Sequence, residues 1–112
     1  MQSRYRLTRS QDFDRMRHEG RGYPHRLMLL SIAPNNLDQN RYGFVVSKRL
    51  GNAVVRNRTK RVLREAVRAL HPHLRVGYDV VIVARSASVG KPFDEISRTI
   101  NELFRQAGVL DG

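Results

Sequence analysis

The stretch from Ala53 to Leu70 contains neither glycine nor proline and sorts its residues by side, and this limits what the chain can fold into. At 100° per residue with Arg56 at the origin, Lys60 falls at ~40°, Arg64 at ~80°, Asn57 at ~100°, Arg68 at ~120° and Arg61 at ~140°. Val55, Val62, Leu63, Ala66, Ala69 and Leu70 gather between ~220° and ~340°. A helix so divided must lay its apolar stripe on a second layer, which the rest of the chain has to supply. Asn52 stands where an N-cap is needed. Pro72 is the expected stop, because the residue before a proline is pushed out of the helical region.

The remaining patterns supply that layer. Ser10 reads as the cap of a short helix over Gln11 to His18 that carries Phe13 and Met16, and Gly20 and Gly22 break it. Leu27 to Ala33 is a nearly continuous apolar run, read as a strand, with a further short strand possible over Arg21 to Arg26. Pro34 to Asn40 is a polar loop. Arg41 to Ser47 alternates as a strand does, and its pairing with the preceding run is expected to be an antiparallel hairpin. Tyr78 to Ala84 is the most β-branched segment and the predicted central strand. Phe93, Ile96, Ile100, Leu103 and Phe104 recur at helical spacing, with Asp94 and Glu95 suiting the first turn and Gly108 the end. The order α-β-β-(β)-α-β-α describes an α+β fold, a two-layer α-β sandwich. At 112 residues it is expected to be a single domain, 1–112.

Charge then narrows the partner. Lys plus Arg number 21 against 10 Asp plus Glu, a formal net charge of +11, and such self-repulsion calls for an anionic partner. No apolar run approaches the roughly 20 residues of a spanning helix. Met1 to Arg6 is basic but no apolar signal region follows, so the cytoplasm is the expected compartment. Cysteine is absent, which excludes disulfides, thiolate catalysis and Cys-based zinc sites. Tryptophan is absent too, leaving few rings on which bases could stack.

Lys48, Arg49, Arg56, Arg58, Lys60, Arg61, Arg64 and Arg68 face only one acid within their own span, Glu65. Solvated helix faces normally mix signs at i,i+4, whereas Arg56/Lys60, Lys60/Arg64 and Arg64/Arg68 repel at a few tenths of a kcal/mol each. A bound polyanion compensates such repulsion, and the planar fork of arginine suits phosphate or a base edge. A membrane-surface helix is disfavoured because the core claims the apolar stripe. Other chemistry is thin. His71-Pro72-His73 resembles a pair of metal ligands but lacks a third donor, and reads as an exposed helix stop. Asp12, Asp14 and Glu19 resemble the clustered carboxylates of a metal site only in composition, since residues two apart do not share a helix face. No catalytic residue and no protein metal site is expected.

The run Ser47-Lys48-Arg49-Leu50-Gly51-Asn52-Ala53-Val54-Val55-Arg56-Asn57-Arg58-Thr59-Lys60-Arg61-Val62-Leu63-Arg64-Glu65 resembles the signature of the bacterial ribonuclease P protein subunit, with Arg56-Asn57-Arg58 as its core triplet. Tyr5-Arg6-Leu7, Asp12-Phe13, Val81 to Arg85 and Leu103-Phe104 extend the resemblance along the chain. The resemblance implies a non-catalytic subunit. A ribonuclease P RNA, holding Mg2+, hydrolyses precursor tRNA to free the mature 5′ end, while the protein binds RNA and assists. It also implies a left-handed βαβ crossover through the basic helix, and a cleft between the first helix and the sheet that takes the 5′ leader. Lys48, Arg49, Asn52, Arg56, Asn57, Arg58, Lys60, Arg61 and Arg64 match the motif as RNA contacts, and Arg68 joins them by its place on the wheel. Phe13 matches a cleft aromatic. Arg17 and Leu30 stand where the family commonly has aromatics, which implies a more electrostatic grip on the leader. Neither a small-molecule substrate nor a membrane is expected. The competing readings are a stand-alone structured-RNA-binding protein of ribosomal type and a nuclease acting through its own carboxylates.

Overall fold

Helical and strand periodicities fall close to where the sequence places them. A computed structural model describes residues 5–7 and 9–111, so the Met1 to Arg4 stretch weighed for a targeting signal lies outside the described residues. In chain order the elements are α1 (Ser10–Glu19), β1 (Arg21–Pro24), β2 (Met28–Pro34), β3 (Arg41–Val45), α2 (Ala53–Leu70), β4 (Tyr78–Ala84) and α3 (Phe93–Ala107), with 3-10 turns at Lys48–Leu50, His71–His73 and Ser86–Ser88. Ser10 is the first helical residue of α1, not its cap; Arg9 takes that place without a side-chain bond. Gly108 ends α3 in the left-handed region, its N–H bonded to the Arg105 carbonyl and that of Val109 to Phe104, so two orphan carbonyls are satisfied. His71 keeps helical dihedrals ahead of Pro72, so the chain tightens into a 3-10 turn instead of breaking there.

Strand order corrects the expected hairpin. The sheet runs β1-β2-β4-β3, so β4 is inserted between the two runs read as neighbours. β2 pairs antiparallel with β4 and with β1, while β3 lies parallel to β4 and reaches it by a crossover through α2. Four consecutive residues of β4, Asp79 to Ile82, are buried, and a strand covered on both faces belongs in the interior of a sheet. Asn40, itself buried, locks the arrangement: its Nδ2 donates to the Arg75 carbonyl and its Oδ1 accepts from the Tyr78 N–H, both at 2.8 Å.

Alternation along the strands divides the core in two. Met28, Leu30, Ile32, Tyr42, Val80 and Ile82 join Leu63, Ala66 and Val67 of α2 and Ile96, Ile100, Leu103 and Phe104 of α3. The opposite face is smaller: Ala33 and Val81 meet Leu7 and Met16, with Phe13, Val45 and Val83 half-buried around them. The α2/α3 layer thus forms the sandwich, and α1 covers part of the other side. His71, read as an exposed stop, lies half-buried between Tyr5 and Tyr42, 2.7 Å from the Tyr42 hydroxyl. Burial pushes the Tyr42 phenol up to about 12, so it stays protonated at neutral pH.

Asp79 is the charge that the strand pattern hides. It is wholly buried on the α1 side of β4, where Arg41 holds both its oxygens at 2.9 and 2.7 Å and Asn35 donates at 2.9 Å. Arg15 of α1 completes the set through its guanidinium. Burial alone would raise this carboxyl, but the bonds from Arg41 and Asn35 and the charges of Arg41 and Arg15 outweigh it and hold it below its ordinary value. Asp79→Asn is expected to cost about 3–5 kcal/mol in urea unfolding at pH 7, because two half-buried cations lose the negative charge they share and face an NH2 donor in place of one oxygen. A carboxyl depressed in the folded state stabilises above its unfolded pKa of ~3.9 and stops doing so as pH falls through the lower folded value. The gap between parent and variant should therefore hold constant above about pH 5 and close below about pH 4. A gap independent of pH would show that the ion pairs contribute nothing.

Candidate nucleic-acid interface

The basic helix is built from its entry. Gly51 has φ 147°, and a Cβ there would approach Val55 Cγ1 to 2.9 Å, so glycine alone lets the Lys48–Leu50 turn fold back against α2. Asn52 caps the helix as predicted, its Oδ1 accepting the Val55 N–H at 3.0 Å. That bond engages the carbonyl end of the amide and turns its role at the helix entry to capping. No acid occupies the first turn, so Lys48 and Arg49 add their charge to the positive end of the helix dipole.

The wheel is turned relative to the sequence reading. Thr59, Leu63, Ala66 and Val67 are the buried residues of α2, whereas Ala69 is exposed. Val67 falls at ~20° on the wheel used above, so the buried arc is rotated by ~45° towards the cations. Arg56, Lys60 and Arg64 are consequently half-buried flanks, while Asn57, Arg58, Arg61 and Arg68 are exposed, as are Lys48, Arg49 and Asn52. The Nε atoms of Arg56 and Arg64 are buried without a hydrogen-bond partner although each residue as a whole is only half-buried. Arg6, Lys60 and Arg64 line one hollow of about 190 Å3 against Tyr42 and Phe44 of β3.

Of the ten residues assigned to RNA, Arg68 is paired with an acid, Glu65 at 3.0 Å, among the described residues. Six other acids are spent elsewhere: Asp79 and Asp12 on Arg41, Asp14 on Arg17, Glu19 on Arg15, Asp111 on Arg75 and Glu95 on Lys91. A row of cations thus projects from one rigid helix with its field uncancelled, the arrangement that binds a phosphate backbone.

The second surface lies between α1 and the sheet. Phe13 is half-buried, and its ring covers Gly43 so closely that an added Cβ would sit 2.8 Å from two ring atoms. Arg17 extends into solvent with 80% of its side chain exposed, 3.8 Å from Asp14. Leu30 does not line this cleft. It is 0% exposed and faces α2 and α3, whereas its neighbours Leu29 and Ser31 are half-buried on strand positions that face α1. Side chains alternate across a strand, so a register reading one residue off moves a residue to the other face. Asp79, Arg15 and Arg41, which seat α1, were missed in the sequence because an acid at the head of a β-branched run reads as a strand end.

Known proteins agree with this architecture. The sequence pattern of the family described as Ribonuclease P matches residues 1–108. A protein of Roseiflexus castenholzii named ribonuclease P protein component is 41% identical over 113 aligned residues, spanning 100% of this chain and 93% of its own length. Its namesake in Chloroflexus aurantiacus is 45% identical over 98% of this chain and 82% of its own length. Among solved structures, the Staphylococcus aureus RNase P protein superposes with a TM-score of 0.87 at 30% identity, over 96% of this chain and 98% of that one. The Thermotoga maritima RNase P protein gives 0.81 at 28% identity, over 89% and 96%.

The rotated wheel separates two kinds of cation. Arg58→Ala and Arg61→Ala, both solvent-exposed, are expected to leave urea unfolding within ~0.5 kcal/mol of the parent. Each should weaken binding to a structured RNA and lower the slope of log K against log salt by ~0.7–0.9. Unfolding that shifts while RNA affinity holds would reverse the assignment of that face.

Proposed function

The chain belongs to the ribonuclease P protein family, and we propose that it serves that tRNA-processing endonuclease, as its non-catalytic protein component, through two separate surfaces. Membership implies an RNA partner. We assign the ribonuclease P RNA to the face of α2 and the turn before it, through Lys48, Arg49, Asn52, Arg56, Asn57, Arg58, Lys60, Arg61, Arg64 and Arg68. The 5′ leader of precursor tRNA is assigned to the cleft at Phe13 and Arg17, with Leu29 and Ser31 on its floor in place of Leu30. The observation that carries this reading is the row of α2 cations which, Arg68 apart, have no acid partner among the described residues, while six acids are paired away from this helix.

On this reading the protein works by electrostatics and positioning. Its cations offset the mutual repulsion of catalytic RNA and precursor, which at low magnesium is screened least. Arg17 meets the leader backbone as an exposed charge, and Phe13 offers a ring held close against Gly43. In this scheme the RNA partner holds Mg2+, and no step is assigned to protein carboxylates. Residues 1–112 act as one domain, and the cytoplasm is the proposed compartment; no described helix is long and apolar enough to cross a membrane.

Reconstitution tests the scheme. Protein alone should leave precursor tRNA uncut, and with its cognate RNA it should raise cleavage most at low magnesium; magnesium-dependent cleavage by RNA-free protein would transfer the chemistry to the chain itself. Phe13→Leu keeps the packing on the sheet, within ~1.5 kcal/mol of stability, while removing the ring. It should weaken precursors with a leader by about 5-fold or more and spare mature tRNA, as the loss of one stacked base requires. Equal losses for both ligands would return Phe13 to a purely structural role.

A further inference from the structure

The rotation of α2 exposes a third surface, on the side of the helix away from Arg56, Lys60 and Arg64. A groove of about 410 Å3 runs between α2 and the start of α3, walled by Val55, Thr59 and Val62 on one side and by Val89, Pro92 and Phe93 on the other. That size falls within the ~300–1,000 Å3 of small-ligand clefts. Phe93 opens the apolar series of α3, yet it is 43% exposed and lies outside the core that Ile96, Ile100, Leu103 and Phe104 share. A ring half in water at the wall of a cleft has area left to bury against a flat group entering that cleft.

Chemistry selects the partner. The hydroxyls in the wall are committed, Thr59 to the Val55 carbonyl at 2.9 Å and Ser88 to the Arg85 carbonyl at 2.7 Å. The groove therefore offers apolar area and a ring, with few polar atoms to read an edge. Its charges, Arg58 and Lys91, are both positive. Lys91 has a distant acid, Glu95 at 3.8 Å, and Arg58 has no acid partner among the described residues. Arg58 also belongs to the exposed cationic face of α2, so the groove is continuous with that face. A second copy of this chain, at +11, would bring like charge to the rim. A flat apolar group carrying an anion fits instead.

We infer that this groove receives one unpaired nucleobase of the RNA bound along α2, stacked on Phe93, with its phosphate held by Arg58 and Lys91. The inference rests on the reading of α2 as the RNA-binding face. Stacking without edge contacts tolerates any base, so the site would anchor a bulged or looped nucleotide by shape and not by sequence.

The test uses the full-length protein and its cognate ribonuclease P RNA, with affinities measured across a potassium series for the parent, Phe93→Ala, Phe93→Leu, Phe93→Tyr and Arg61→Ala. Losing one stacked base should weaken Phe93→Ala by about 5- to 150-fold with the salt slope unchanged. Phe93→Leu, which refills the volume without a π face, should be weakened similarly, and Phe93→Tyr should bind as the parent does. Arg61→Ala should instead lower the slope. Binding by Phe93→Leu or Phe93→Ala as tight as the parent's, with Arg61→Ala weakened, overturns the groove assignment and leaves the α2 face standing. Unaltered binding by all variants removes both. A parent that self-associates in sedimentation, and loses this with Phe93→Ala, would give the groove to a second copy and overturn the inference.

Discussion

A single buried carboxylate, Asp79, decides how the two sides of the sheet can be used. It sits at the start of the central strand, and its partners come from α1, from β3 and from the loop between β2 and β3. Burying it unpaired would cost several kcal/mol, so folding can place it there only when all those segments have arrived. α1 depends on it most. That helix buries one residue fully, Met16, and half-buries Phe13, too little apolar area to fix a helix firmly. The Arg15–Asp79 pair supplies a directional tie, and with it the position of Phe13 over Gly43. The cleft on this side exists because a charge pair, and not a wide apolar seam, holds its wall.

The same economy of acids shapes the other side. Ten acidic residues serve 21 cations, and most of those in the described structure are paired away from α2. The potential over α2 follows from where the acids are absent as much as from where the arginines stand. Arg56 and Arg64 also show that a cation on this helix takes part in packing, since each is half-buried with its Nε atom out of contact with solvent. Charge and packing are thus superposed on the half-buried flank, and separated on the exposed face of Arg58 and Arg61.

Much of this was legible before the structure. Asn52 as cap, Ala53 and Leu70 as limits, Phe93 and Ala107 as limits, Gly108 as stop and Tyr78–Ala84 as the central strand follow from local chemistry. The motif around Arg56-Asn57-Arg58 led to the family. Beyond the phase of α2 and the partners of Asp79, three placements were not legible. The polar loop Pro34 to Asn40 looked like a hairpin connection, yet β4 separates the strands it joins. Leu30 looked like a cleft residue, yet it points to the opposite layer from Leu29 and Ser31. His71 looked like an exposed stop, yet it is packed between two tyrosines.

By itself the sequence determined the elements, their ends and the segregation of charge, because a helix of period 3.6 and a strand of period 2 write their faces into neighbouring residues. It also determined that the partner is a polyanion, since the uncompensated arginines are close along one helix. Only the tertiary structure decided which strand lies beside which, how far α2 is turned about its axis, and that Asp79 meets Arg15 and Arg41. Those outcomes depend on contacts between residues distant along the chain, whose energies are set by simultaneous burial of both sheet faces and leave no period in the sequence. The phase of α2 shows the difference: its amphipathicity was plain, but α3 and the sheet together chose the ~45° rotation that tucks Arg56 inward and opens the groove at Phe93.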